Sequence, residues 1–270
     1  MHAFDILLAA GPGDIDWGLL VKRIFNPTPA FWSALGLTVS IAVFSQLLGI
    51  ILGTISALMQ RSRFKILQFF AGAYIYIVRG TPVIVLVFFI YYGANMIFGV
   101  DLFPESLNLG LFVIPGAVLA GIVGLGIAEG AYMSEIIRSG IASVDLGQFE
   151  SAAAIGMTKR TAMRRIIFPQ AARTIVPPLG NQFNGMIKMT SLLAFIGIYE
   201  IFLDAQVTYS NTFKPVEVFM AVAVWYIVVT TIWNLIQRMI ERRLSRSERE
   251  PAEDRKRARA IEKQSKEVIW

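Results

Sequence analysis

Long apolar runs separated by short charged clusters set the organisation of the chain. Residues 31–59 carry no charged side chain, and Arg61, Arg63 and Lys65 follow them in a cluster. A second apolar run, 66–97, is interrupted only by Arg79-Gly80-Thr81-Pro82. A short polar loop, 101–108, precedes a third run at 109–137; a fourth covers 181–202 and a fifth 218–240. About 20 apolar residues in a helix cross the hydrocarbon of a bilayer. The pattern therefore predicts an all-α membrane protein with five spans. The second run exceeds one crossing, and Gly80-Thr81-Pro82 predicts a kink or break within it. We read it as one broken span; two spans would invert the topology of everything downstream.

Between the third and fourth runs lies a polar, helix-forming segment, Asp145 to Ala172. Asp145 and Gln148 have the spacing of an N-cap and its capping-box partner, predicting a helix over 148–155. Gly156 stands where a left-handed residue would end that helix. Thr158 predicts the cap of a second helix over 159–168, which Pro169 is expected to stop. Lys159, Arg160, Arg164 and Arg165 give this pair a basic flank. Such a segment suits docking, either to a protein partner or to anionic headgroups at the lipid surface.

The ends differ from the middle. Residues 1–30 mix acidic residues, glycine and proline with an apolar patch at 6–10; Ile15 to Phe25 reads either as an amphipathic surface segment or as a loosely structured lead-in. This N-terminal stretch lacks the positive start and length of a signal peptide. Residues 241–270 form a densely charged tail, expected to be a solvated helix or disordered.

Composition supports the membrane reading. The chain has 270 residues, 55% hydrophobic, with a net charge of +6 and no cysteine. That apolar fraction exceeds the soluble norm. Without cysteine the chain has no disulfide framework and no thiolate metal site. The cations cluster beside apolar spans, so membrane lipid, and not nucleic acid, accounts for the basic balance. Arg61, Arg63, Lys65, Arg138, Lys159, Arg160, Arg164, Arg165, Arg173 and the tail from Arg238 would share one side of a five-span chain. The other side would hold Lys22, Arg23 and Lys214. The positive-inside rule then places the N-terminus outside, and the docking segment and C-terminus in the cytoplasm.

Glu150-Ser151-Ala152, Gly156 and Pro169 together resemble the EAA loop of permease subunits of ABC importers. Ser151 departs from the usual alanine, but both residues are small. Flanking motifs resemble the polar-amino-acid branch of that family: Arg79-Gly80-Thr81-Pro82, Ala131-Tyr132 with Glu135, Gly147-Gln148, Pro169-Gln170-Ala171, Pro177-Pro178-Leu179-Gly180-Asn181, and Lys188 before Thr190-Ser191-Leu192. The ordered set spans roughly Phe31 to Arg242. The resemblance implies a five-span type I importer (MetI-like) core at 31–240, with a cytoplasmic coupling loop at 143–178 that takes Glu150, Ser151, Ala152, Gly156 and Pro169 to the ATPase. It further implies a multi-pass protein of the bacterial inner membrane. The implied partners are two ATP-binding subunits, a second permease subunit, identical or homologous, and an extracytoplasmic amino-acid-binding protein.

No GxxxxGK[ST] phosphate loop occurs, so the chain is not expected to be an enzyme; ATP and Mg belong on the partner ATPase. No metal or nucleophile constellation stands out, and His2 reads as incidental. Ionisable residues inside spans are costly and usually face a cavity or a partner. Arg79 beside its break, Thr81, Glu129, Asn184 and Lys188 are the candidate substrate-pathway residues. Each has a structural alternative: Arg79 as an ion pair or carbonyl cap at the kink, Glu129 as a partner of Lys188, and Asn181, Gln182 and Asn184 as partners of a turn at Pro177-Pro178. Glu135 and Arg138 read as structural or interfacial. Two other functions fit the pattern less well. An ion-gradient-driven secondary transporter is expected to show inverted repeats, which are not evident. A non-transporting scaffold would leave the broken span and the membrane charges without a role.

Overall fold

The computed structural model describes residues 15–93, 96–97, 99–108, 110 and 113–267, with side chains described as far as residue 244. The apolar patch at 6–10 and His2 lie outside these residues. The described elements are helices apart from one short ribbon. Helix α1 is Trp17–Phe25, α2 is Pro29–Gln60 and α3 is Lys65–Gly80; α4, Val83–Phe88, runs into a wide π-turn at Phe89–Gly93. Strands β1, Ser106–Asn108, and β2, Val113–Pro115, pair antiparallel with Leu107 opposite Ile114. Then come α5, Gly116–Ala142, and α6, Leu146–Ala154. A further helical run comprises α7, Lys159–Ala162, a π-turn at Met163–Ile167, α8, Phe168–Met189, and a 3₁₀ turn at Thr190–Ile196. Helices α9, Ile201–Thr212, and α10, Pro215–Glu267, complete the chain.

Helix α2, α5 and the first 30 residues of α10 (Pro215–Leu244) are each long and apolar enough to cross a bilayer. Two further pairs reach that length only together: Lys65–Gly80 with Val83–Gly93, bent by 110°, and Lys159–Ile196 with Ile201–Thr212, bent by 52°. The first bend falls where the sequence predicts it and is much sharper than a kink. Thr81 and Pro82 are both extended, at φ −106°, ψ 134° and φ −57°, ψ 135°. Proline disfavours the helical basin for the residue before it, and Thr81 is extended here. The Thr81 hydroxyl donates to the Ile77 carbonyl at 2.8 Å, satisfying an acceptor that the break leaves bare.

Three expectations are corrected. The third span begins at Gly116 and not at 109, because 113–115 pair in the β-ribbon. Pro169 does not stop a helix, and Pro177-Pro178 does not make a turn: both prolines at 177 and 178 lie inside α8, so helix precedes Asn181 by a long way. A π-turn directly precedes Pro169, with the Phe168 amide bonded to the Met163 carbonyl five residues back. Such a widened turn accommodates a residue that has no amide to donate. The charged tail continues α10 as helix to Glu267.

The chain falls into two compact units, one of residues 1–135 with 182–231, the other of 136–181 with 232–270. In the first unit α2 and α5 meet along a reciprocal seam. On α2, Gly49 and Gly53 stand four residues apart and face Glu129 and Met133 of α5; on α5, Gly126 and Gly130 face Leu48 and Leu52 of α2. A Cβ on Gly49 would lie 2.6 Å from Cγ of Glu129, and one on Gly126 would lie 2.6 Å from Cδ2 of Leu48. Paired small residues let helices approach closely where no hydrophobic effect drives them together. The seam is flanked by two clusters. Ile75 and Val78 of α3 pack on Ala128 and Ala131 of α5. Phe31, Ala34 and Leu35 of α2 pack with Ile201 and Ala205 of α9 and Val218 and Val222 of α10.

Polar ties fix the corner around α1. The Asp16 side chain caps α1 by accepting from the Leu19 amide at 2.9 Å, and its other oxygen takes the Lys214 ammonium. The Asp16 amide donates to Glu217 at 2.9 Å, and Arg23 pairs with Asp204 at 3.1 Å. The Lys214 ammonium, helped by the Leu19 amide, holds the Asp16 carboxyl below its ordinary pKa, while Asp16 raises Lys214. A depressed carboxylate stabilises the fold at neutral pH and loses that contribution as pH falls through its lowered value.

In the second unit, Ile137 and Ile141 of α5 are buried with Val144, Ala171 and Ile175. The Ser143 hydroxyl lies 3.2 Å from that of Thr174. Two side chains of α10 bond carbonyls of the proline-containing helix: the Trp233 indole donates to Gly180 at 2.8 Å and the Gln237 amide to Pro177 at 3.2 Å. These bonds tie α10 to α8 next to its paired prolines.

The α2–α5 seam predicts a clear contrast. Gly53→Leu would drive a branched side chain into Met133 and the Ser134 amide, whereas Gly36 on the same helix has nothing within 4 Å of its notional Cβ. Overpacking of this kind costs about 1–3 kcal/mol. In thermal unfolding of the detergent-purified protein, Gly53→Leu should lower the midpoint by several degrees and Gly36→Leu should leave it nearly unchanged.

Candidate functional site

The polar segment in the second unit is built as two short helices locked at a turn. Helix α6 begins two residues earlier than the sequence pattern predicts. Asp145 is its N-cap, accepting from the Gly147 amide at 2.6 Å. Gln148 does not complete a capping box; its carbonyl oxygen accepts from Gln170 at 3.1 Å instead, linking α6 to the start of α8. At the other end Gly156 has φ +73°, as its position predicts. The Met157 amide bonds the Ala152 carbonyl and the Gly156 amide bonds the Ala153 carbonyl, both at 3.0 Å. This reciprocal pair is a Schellman cap, which closes the last turn of a helix around a left-handed residue. Thr158 then caps α7 by accepting from the Thr161 amide at 3.3 Å.

Within that frame the side chains divide cleanly. Ala152 is 1% exposed, and Ala162 and Ile167 are also buried. Glu150, Ser151, Gly156, Lys159, Arg160, Arg164, Arg165 and Pro169 are exposed. Small size at 152 is therefore a packing requirement, whereas Ser151 replaces alanine on the open face, where a hydroxyl costs nothing. The segment presents Glu150, the capping Asp145 and a group of cations on a bent scaffold closed by a Schellman turn.

The polar residues of the spans lie in the first unit and do not converge on one point. Arg79, exposed at the end of α3, has its guanidinium 5.5 Å from the Tyr132 ring centroid. It lines a cleft of about 510 Å³ with Gln60, Gly72, Ile75, Tyr76, Gly80 and Glu135. Thr81 stands at the adjoining break. Glu129 is 1% exposed in the α2–α5 seam, with one oxygen accepting from Gln46 at 3.3 Å. Its other oxygen has no hydrogen-bond partner among the described residues. Lys188, exposed, and Asn184, half-buried, share one face of α8 four residues apart. The alternative of a Glu129–Lys188 pair gives way to the Gln46 contact.

Two polar residues that carry structure escape a search restricted to charges in mid-span. Gln46 is one, the lone amide in an uncharged run. Glu200 is the other. It is fully buried and caps α9, accepting from the Phe202 and Leu203 amides at 2.8 and 2.9 Å. Glutamate is not a preferred N-cap residue. Thr38 and the Tyr226 hydroxyl reach its second oxygen at 3.5 and 3.3 Å.

Residues 49–246 match the family described as binding-protein-dependent transport system inner membrane component. The chain belongs to this family. Its members are the membrane permease subunits of ABC importers, translocation components with no ATPase chemistry of their own. Among curated relatives, a probable amino-acid permease protein YxeN of Bacillus subtilis is 37% identical over 86% of this chain and 97% of its own length. The L-cystine transport system permease protein TcyB of the same species is 36% identical over 86% of this chain and 92% of its own. The glutamine transport system permease protein GlnP of Escherichia coli is 32% identical over 85% and 97%. Among solved structures, an amino acid ABC transporter crystallised with histidines superposes with a TM-score of 0.72 at 36% identity, covering 85% of this chain and 99% of that one. The methionine ABC transporter MetNI superposes with a TM-score of 0.65 at 16% identity, covering 80% and 96%, and so shares the fold.

The Schellman turn predicts a local effect. A Cβ at Gly156 meets nothing within 4 Å, so the penalty of Gly156→Ala is backbone strain alone, about 1–2 kcal/mol for an L-residue in the left-handed basin. Hydrogen exchange of the amides at the end of α6 should accelerate by roughly five- to thirtyfold, in line with that strain, while the amides of α2 and α5 exchange as in wild type.

Proposed function

We propose that the chain moves a polar or charged amino acid across a bacterial inner membrane by alternating access, driven by ATP hydrolysed on separate subunits. The amino-acid class rests on the relatives, whose names include permeases for cystine and glutamine. The coupling role rests on one observation: Glu150 is held outward on a helix whose end is locked at Gly156. In this reading Asp145 to Ala172 seats in a groove of an ATP-binding subunit, with Ser151, Ala152 and Pro169 completing the contact surface and its support. Closure of two such subunits, with ATP and Mg bound, displaces the segment. Because the run from α7 through α8 is helical without interruption, that displacement is delivered along a stiff element.

Five spans follow from counting each bent pair as one crossing, with the N-terminus outside and the basic segment and tail in the cytoplasm. Five spans enclose little, so a second permease subunit, identical or homologous, completes the pathway, and an extracytoplasmic binding protein delivers the substrate. Residues 31–240 form the permease domain, 143–178 its coupling loop and 241–270 a cytoplasmic extension. We assign the pathway to the exposed Arg79 and Lys188 with the half-buried Thr81 and Asn184. Glu129 supports them indirectly, through Gln46 and the α2–α5 seam.

Uptake by proteoliposomes containing the permease, ATPase and binding protein tests this reading. Enclosed ATP with no ion gradient should support uptake of a polar amino acid. Gly156→Asp should reduce it at least tenfold while the subunit remains inserted. Uptake that ignores ATP and follows an imposed ion gradient would instead make the protein a secondary transporter.

A further inference from the structure

Helix α1 carries an apolar ridge that the rest of the chain leaves uncovered. Trp17, Val21 and Phe25 stand four residues apart on one face and are 61%, 51% and 81% exposed. The opposite face is fastened down. Leu20 is buried, Leu19 packs on the cluster of α2, α9 and α10, and Arg23 bonds Asp204 and Thr208. The ties of Asp16 to Lys214 and Glu217 secure the helix at its start. Polar bonds at both ends fix the roll of α1, so the outward direction of its ridge is set by the fold. A helix of nine residues bound only through one apolar stripe could turn; this one is pinned.

What covers the ridge follows from where α1 sits. Helix α2 has 32 residues, and at 1.5 Å per residue it extends about 48 Å. That exceeds both the ~30 Å hydrocarbon and the ~40–45 Å of a whole bilayer, so the ends of α2 emerge in the headgroup layers. Only Asn26, Pro27 and Thr28 separate α1 from α2. Three residues span at most about 10 Å, which keeps α1 at that boundary. Trp32, 47% exposed one turn into α2, adds a second interfacial ring at the same end. Lys22, exposed beside the ridge, is placed to reach phosphate while the ridge is immersed.

We propose that α1 is a lipid-interface anchor: its Trp17–Val21–Phe25 ridge lies in the headgroup–acyl boundary of the bilayer, and its polar face clamps the membrane surface to the α9–α10 corner. The occupant is lipid, because three residues tether α1 to α2, a helix long enough to cross a bilayer whose exposed apolar residues include Phe44, Leu47, Ile51 and Ile55. This inference rests on the membrane setting of the family and is independent of the substrate and of ATP coupling.

The absence of cysteine makes the test direct. Val21→Cys, Phe25→Cys and Lys22→Cys are each labelled with a nitroxide in the full transporter, reconstituted in phosphatidylcholine–phosphatidylglycerol vesicles. Power saturation is then read with oxygen, which concentrates in lipid, and with a water-soluble nickel chelate. Labels at 21 and 25 should show an oxygen-to-nickel accessibility ratio at least several-fold above that at 22. Quenching of Trp17 fluorescence by brominated lipid, taken as the difference between wild type and Trp17→Phe, should agree. Labels at 21 and 25 as open to nickel as at 22 would put the ridge in water and overturn the proposal. Labels at 21 and 25 shielded from both reagents would show a protein cover and overturn it equally.

Discussion

A backbone in hydrocarbon must satisfy its own hydrogen bonds, because no water is there to do so. At several irregularities among the described residues a named group answers that constraint. Thr81 closes the bare carbonyl at the break after α3. Glu200 supplies a carboxylate to the two amides that open α9. Trp233 and Gln237 of α10 reach carbonyls around the paired prolines of α8. A π-turn widens the helix before Pro169. These devices leave the chain bent or interrupted while the named backbone groups stay bonded.

Close packing supplies the cohesion that the hydrophobic effect cannot provide between helices surrounded by lipid. The α2–α5 seam does so with glycines on each helix set against large side chains on the other. Glu129 is embedded in this seam, which explains why a carboxylate occurs there without an exposed surface. Its neighbour Gln46 shares the burden of a polar group in an apolar setting. The exposed polar features are the cleft beside Arg79 in one unit and the bent polar helices in the other, and our proposal assigns the pathway and the coupling to them.

The sequence made much of this legible. Apolar runs of span length, the break at Gly80-Thr81-Pro82, the caps at Asp145 and Thr158 and the left-handed Gly156 are local signals, set by residues adjacent in the chain. The failures involve partners distant in sequence or competition between local rules. Pro169 reads as a stop and Pro177-Pro178 as a turn, yet α8 runs through all three, with a π-turn widening the helix just before Pro169. Gln148 has capping-box spacing but is taken by Gln170. The cap at Glu200 was hidden because glutamate is an uncommon N-cap and Thr38 lies 162 residues away. The two three-residue strands that precede the third span are too short to leave a periodic signal.

In the proposed coupling role, the Gly156 turn holds α6 in a geometry that an ATP-binding subunit accepts. Co-purification tests it most directly: tagged permease is extracted in mild detergent, and the bound ATPase is quantified for wild type, Gly156→Asp and, as a change remote from the segment, Gly36→Ala. The account predicts ATPase retained by wild type and Gly36→Ala, and largely lost from Gly156→Asp although that permease is still present in the membrane. Full retention of ATPase by Gly156→Asp, with its α6 amides exchanging rapidly, would show that the turn is dispensable for docking and contradict the account.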